Sequence, residues 1–161
     1  MKTIAQEDYT NGFFQLLKET FEGPPPDKGS AYLDKGGGLF QTLGRLTAEA
    51  ASATPWPGAA TIAAHSEHLR FYVMAHYGLM RGESGKIDWE QSWRVKTVTP
   101  PEWDDLKENL RRAYTAVADH LRRVERWGEE EVGDGMAILL HTAYHLGAIR
   151  QLARALEPSA S

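Results

Sequence analysis

The sequence predicts an all-α fold: a four-helix bundle with an extra short helix and a long crossover connection. Three observations lead there. Apolar residues recur with a period near 3.6 along almost the whole chain instead of alternating as they would in a strand. Four of these periodic segments are long, and Pro- or Gly-rich punctuation separates them. The 161 residues, 42% apolar and 25% charged, suit one globular domain with a proper core, expected to span residues 1–161.

The first helix is expected from about Ile4 to Phe21, with Tyr9, Phe13, Leu16, Leu17 and Phe21 on one stripe. Gly23 and the three prolines after it end this helix, because consecutive prolines cannot continue one. A loop through Gly36-Gly37-Gly38 leads to a short helix, about Leu39 to Ala50, with Leu39, Phe40, Leu43 and Leu46 inward. Pro55-Trp56-Pro57-Gly58 breaks the chain before a long helix from about Ala59 to Met80. The stretch from Arg81 to Thr99 is long enough to cross a bundle end, so the topology need not be simple up-down-up-down. Pro100-Pro101 opens the next helix, where Thr99 and Glu102 have capping-box spacing and the prolines occupy positions that lose no hydrogen bond. Its stripe runs Trp103, Leu106, Leu110, Tyr114, Val117, Leu121, Val124 and Trp127, with Gly128 as the stop. The last helix is expected from about Asp134 to Leu156, followed by a short frayed Pro-Ser-Ala-Ser tail.

Composition narrows the function. A net charge of −4 is not that of a nucleic-acid binder, and the Lys107 to Arg126 stretch mixes its cations with Asp and Glu, as a solvated helix face does. With no cysteine there is no disulfide framework, no Cys-based zinc site and no cysteine nucleophile. Residues 1–8 carry no apolar signal-peptide core, and no window reaches the length of a membrane span. The expectation is a cytoplasmic protein with neither nucleic acid nor membrane as partner.

His141 and His145 lie four residues apart in the last helix, so both imidazoles share one face. Ile138, Ala148, Ile149, Leu152 and Leu156 mark that face as buried. Two buried imidazoles need partners, and a metal ion is a common one. One helix cannot complete a metal site, so a third ligand is expected from the helix containing His65, His68 and His76. Relative to the stripe Ile62, Leu69, Val73 and Met80, His76 projects roughly 20° beyond the edge, His65 roughly 40° and His68 roughly 100°. Projection therefore favours His65 or His76 over His68 and cannot choose between the first two. On their own, His76 and His120 read as satisfied boundary histidines.

Two well-known helical metal sites are excluded. The residue after His141 is Thr142, where a His-Glu-x-x-His protease needs its glutamate, and no histidine has a glutamate three residues before it, as a di-iron bundle requires. A three-histidine site leaves coordination positions open, as a Lewis-acid or nucleophile-generating metal needs.

The run His141-Thr142-Ala143-Tyr144-His145-Leu146-Gly147 resembles the His-x-x-x-His-x-Gly motif of the DinB-like superfamily, and Thr61-Ile62-Ala63-Ala64-His65 is similar to that family's second-helix motif. The resemblance covers essentially the whole chain. It implies a four-helix bundle, often dimeric, with a divalent metal (zinc, nickel, manganese or iron) on His65, His141 and His145. It selects His65 over His76. It also implies an enzyme of the thiol S-transferase, isomerase or hydrolase type, taking a small-molecule substrate and a low-molecular-weight thiol. His68 departs from the pattern and is expected to line the pocket or the surface, with ligation as the alternative. The rival reading is a non-catalytic metal- or ligand-binding bundle, structural or stress-related, because no general acid or base stands beside the triad. Glu67 falls on another helix face.

Other residues take plainer expectations. Trp89 and Trp93 anchor the crossover or cover the site, and Tyr72 and Tyr144 belong to core or pocket. Arg150 and Gln151 make surface or dimer contacts, and Gly147 allows a close approach.

Overall fold

The computed structural model describes residues 3–27 and 29–157, and every regular element among them is helical. The Pro-Ser-Ala-Ser tail lies outside the described residues. Helix α1 (Gln6–Glu22) buries Phe13, Leu17 and Phe21, while Leu16, expected inward, is 36% exposed at the edge of the stripe. Gly23, with φ at 95°, turns the chain out of the helix ahead of the prolines, its N–H donating to the Glu19 carbonyl.

The expected single short helix is two: α2 (Leu39–Gly44) and α3 (Ala48–Ser52). Thr47 interrupts it by capping α3, its hydroxyl accepting from the Ala50 N–H at 3.2 Å. The break has a packing use, since the Leu46 carbonyl accepts from Nε1 of the buried Trp103 at 2.9 Å.

Helix α4 (Ile62–Met80) starts where Thr61 caps it, the hydroxyl accepting from Ala64 N–H at 3.1 Å and donating to the Lys96 carbonyl at 2.7 Å. The connection that follows holds a 3-10 turn (Trp89–Trp93) and runs back along α4. Trp89 packs near Phe71 and Tyr72, Trp93 near His68 and His65, and Lys96 reaches Thr61. Helix α5 (Pro100–Arg123) therefore begins beside the start of α4 and runs parallel to it, with Tyr77 and His120 meeting near their far ends. The capping box is present: Glu102 Oε2 accepts from the Thr99 N–H at 2.8 Å and hydroxyl at 2.7 Å.

Helix α5 stops at Arg123, short of its apolar stripe, and α6 (Glu129–Leu156) starts five residues earlier than expected. Gly128 is thus a beginning instead of an end, because Glu131 accepts its N–H at 2.7 Å and the acidic Glu129-Glu130-Glu131 first turn suits the positive helix end. Trp127 leaves the α5 stripe and packs edge-on against Tyr9, Phe13 and Phe14.

Helix α6 runs antiparallel to α4, since Asp134 meets His76 and His145 meets His65. Helix α1 runs antiparallel to α5, with Gln6 beside Glu125 and Glu22 on the Tyr114 hydroxyl. The long helices thus do not alternate simply in direction, and the returning connection is the cause. The core between them centres on Phe21, Leu110, Leu121, Ile138 and Ile149.

Candidate metal centre

The antiparallel pairing of α4 with α6 brings four imidazoles together. His68, His141 and His145 each present a ring nitrogen, all three within 4.8 Å of one another. His141 Nε2 and His68 Nε2 are 3.0 Å apart. His65 joins through His145 alone in this hydrogen-bond pattern, Nδ1 to Nδ1 at 2.8 Å. His76 stands apart, its Nδ1 2.9 Å from an Asp134 carboxylate oxygen, so the boundary role expected of a lone histidine fits it.

The burial of His68, at 8% exposure, is a correction to the helical projection. The projection measured distance from a single apolar stripe. Helix α4 is covered on several sides, by α5, α6 and the returning connection, and it buries Ala63, Ala64 and Ser66 as well as Leu69. A residue 100° from the stripe can therefore still be inside.

The connection also fixes the chemistry of His68. Ser92 is fully buried, and its hydroxyl donates to the Trp89 carbonyl at 2.6 Å. Having spent its one proton there, the Ser92 oxygen can only accept from His68 Nδ1, 2.7 Å away. That places the His68 proton on Nδ1 and the lone pair on Nε2, the atom facing His141. An outer partner that sets a ligand's tautomer and ring orientation is typical of metal-binding histidines. Two nitrogens of one tetrahedral zinc site sit about 3.3 Å apart, given bonds of about 2.0–2.1 Å. The donor set suits a divalent ion, and the 3.0 Å between His68 and His141 is close to that spacing, with all three nitrogens within 4.8 Å. Ser92→Ala is expected to lower metal affinity about ten- to hundredfold without touching a ligand, measured by competition with a chromogenic chelator.

Aromatic rings hold the cluster on its outer sides. Tyr72 stacks on His141 with centroids 3.7 Å apart, and Trp93 stacks on His68 at 4.2 Å. Trp93 therefore covers the site, whereas Trp89 anchors the connection on Phe71 and Tyr72. Tyr144, 74% exposed, is not in the core, and its ring meets His145 edge-on with centroids 5.0 Å apart. Glu67 pairs with Arg70 at 2.6 Å, off the histidine cluster as expected. A side chain at Gly147 would meet nothing within 4 Å, so the close approach expected there is absent. Arg150 makes a surface contact, with Asp34 at 3.3 Å.

Burial and neighbouring imidazoles keep the cluster neutral. The His145 pKa falls to about 3 through burial first and then through His141, His65 and His68. His141 falls to about 4 through burial and then His68 and His76, and burial lowers His65 and His68 as well. Neutral imidazole is the ligating form. In the unfolded chain these rings return to the ordinary value of 6.5 and take up protons first. The stability they carry is complete above about pH 6.5 and is lost as the pH falls toward their folded values. Thermal scans of metal-free protein should hold level from pH 8 to 7 and drop by several degrees by pH 5. The double variant His141→Ala/His145→Ala should flatten that drop.

Sequence reasoning missed Ser92 and ranked His68 last of its three. The available signal was the Trp-flanked segment Trp89–Trp93, whose apolar rings needed a surface to cover. No known family model matches the chain, and no curated protein or solved structure does either.

Proposed function

We propose that the chain is a divalent-metal protein whose centre is built by His68, His141 and His145, with His65 beside it. The observation that carries this reading is the convergence of three ring nitrogens within 4.8 Å, a group that among the described residues includes no carboxylate, in a chain with no cysteine. The four long helices, read as a four-helix bundle, and the His-x-x-x-His-x-Gly run support a DinB-like protein. The resemblance alone favours His65 as the third ligand. The Ser92-fixed lone pair favours His68.

The proposal extends to a cytoplasmic metal-dependent enzyme of the S-transferase or hydrolase type, working as a homodimer. His65 and His141 are half-buried, which leaves the cluster one partly open side. A cavity of about 450 Å³ lined by Thr61, Ala64, Trp93 and Lys96 shares Trp93 with the cluster and is large enough for a small organic substrate. A bound divalent ion would lower the pKa of a thiol or water and present it as a nucleophile. The thiol has to be a cosubstrate, because the protein has no cysteine. The residues' part is to hold three neutral nitrogens in place, with Tyr72 and Trp93 keeping water from the outer ring faces. Leu140 and Tyr144, both exposed on α6, offer apolar surface for a second copy.

Elemental analysis of untagged protein tests the centre. About one equivalent of zinc, nickel, manganese or iron per chain, absent from His141→Ala, is the expected result. Stable metal-free protein with no affinity for added zinc or nickel would overturn it. Turnover of an electrophile with a low-molecular-weight thiol by the loaded protein separates an enzyme from a non-catalytic metal-binding module. Light scattering at twice 18.0 kDa checks the dimer.

A further inference from the structure

A second cavity, of about 400 Å³, lies between α2, α3 and the last two turns of α6, and three guanidiniums line it: Arg45, Arg150 and Arg154. Two of them are tied to one turn. Arg45 Nη1 donates to the Gly36 carbonyl at 3.0 Å, and Arg150 Nη2 donates to Asp34 Oδ2 at 3.3 Å. The turn comes this close because it is built of glycine. Gly36 has φ at 76°, and a Cβ on Gly37 would lie 2.8 Å from the Asp34 carbonyl and 3.3 Å from Arg150 Nη1.

The arrangement is more than folding asks for. Arg150 and Arg154 are i, i+4 like charges, which weakens a helix, although their place at the negative helix end offsets part of that. Neither effect accounts for Arg45 converging on the same space from the other side. Arg45 and Arg154 make no ion pair among the described residues. Thr42, 4% exposed and in the same wall, keeps a buried hydroxyl without a partner.

We propose that this cavity binds the phosphoryl group of a small soluble phosphomonoester. Guanidinium forks match phosphate oxygens two at a time. One fork already saturates a carboxylate, whereas three forks suit a group with three terminal oxygens and a charge near −2. Asp34 and Glu157 leave the cavity one net positive charge, and the long Asp34–Arg150 contact is the one an incoming dianion displaces. Leu46 and Leu156 supply apolar wall for an organic body, and the volume exceeds what phosphate alone would fill.

Titration calorimetry on the full chain, with phenyl phosphate, inorganic phosphate and benzoate as probes, tests this. Phenyl phosphate should bind tightest, inorganic phosphate should compete with it, and benzoate should bind at least about tenfold more weakly. Arg154→Gln and Arg45→Gln should each weaken phenyl phosphate about tenfold, and Asp34→Asn should tighten it. His145→Ala should leave binding unchanged, which separates this site from the metal centre. Equal binding of benzoate, or binding indifferent to both arginine variants, overturns the proposal.

Discussion

His145→Ala is expected to lower the affinity for zinc or nickel by more than about a hundredfold, exceeding what loss of an outer partner such as Ser92 would cost. His145 is the one imidazole in contact with all three others, by ring separations of 5.0, 4.8 and 4.5 Å to His65, His68 and His141. Without it, His65 loses the ring that joins it to His68 and His141. His76→Ala, by contrast, should change affinity little, because His76 is engaged by Asp134. The two candidate triads separate cleanly in the same measurement. If His68 is the third ligand, His68→Ala behaves like His145→Ala and His65→Ala costs much less. The opposite order would restore the His65 triad. Affinities of all four variants within a factor of about three of the parent would sink the centre altogether.

Glu19→Ala is expected to remove about 3–5 kcal/mol of stability, read as a lowered urea midpoint. Glu19 sits on the buried side of α1 at 1% exposure, where its carboxylate accepts the N–H groups of Ala31, Tyr32 and Leu33 at 2.7, 2.8 and 2.7 Å. Truncation would leave three backbone donors without their acceptor, and the loop that follows the prolines would lose its anchor. Glu19→Gln keeps one acceptor oxygen and should cost about half as much. Burial raises the Glu19 pKa, but the three backbone bonds outweigh that and hold it below the ordinary 4.5. Its contribution is therefore complete above about pH 4.5 and is lost as the pH falls below it, a window that opens below the start of the histidine loss and overlaps its acid end. A loss below about 1 kcal/mol for Glu19→Ala would show that the loop finds its hydrogen bonds elsewhere.

Helical period and punctuation made the long elements legible, because each depends on local rules: Pro100-Pro101 with the Thr99–Glu102 box, and the glycine and prolines after α1. What was not legible depends on contacts distant in sequence. Nothing around Glu19 announces that it will collect backbone donors from a loop twelve to fourteen residues away. Gly128 looks like a stop until Glu131 is seen to cap a helix on it. The His141–His145 pair could be read from spacing alone, since one helix fixes both rings. The third histidine could not, because which faces of α4 are covered depends on the path of the connection, which spacing does not encode. That path brings Ser92 to His68 across 24 positions.

The Ser92–His68 bond has a further consequence. The lone pair that would face an ion exists in the right place only while the connection is seated on α4. Seating and ion binding are then linked equilibria, each making the other more favourable by the same amount. The segment between α4 and α5 would then open only against the free energy of ion binding as well as its own contacts. Its backbone amides would exchange with solvent at a rate reporting how much of the protein is charged with metal.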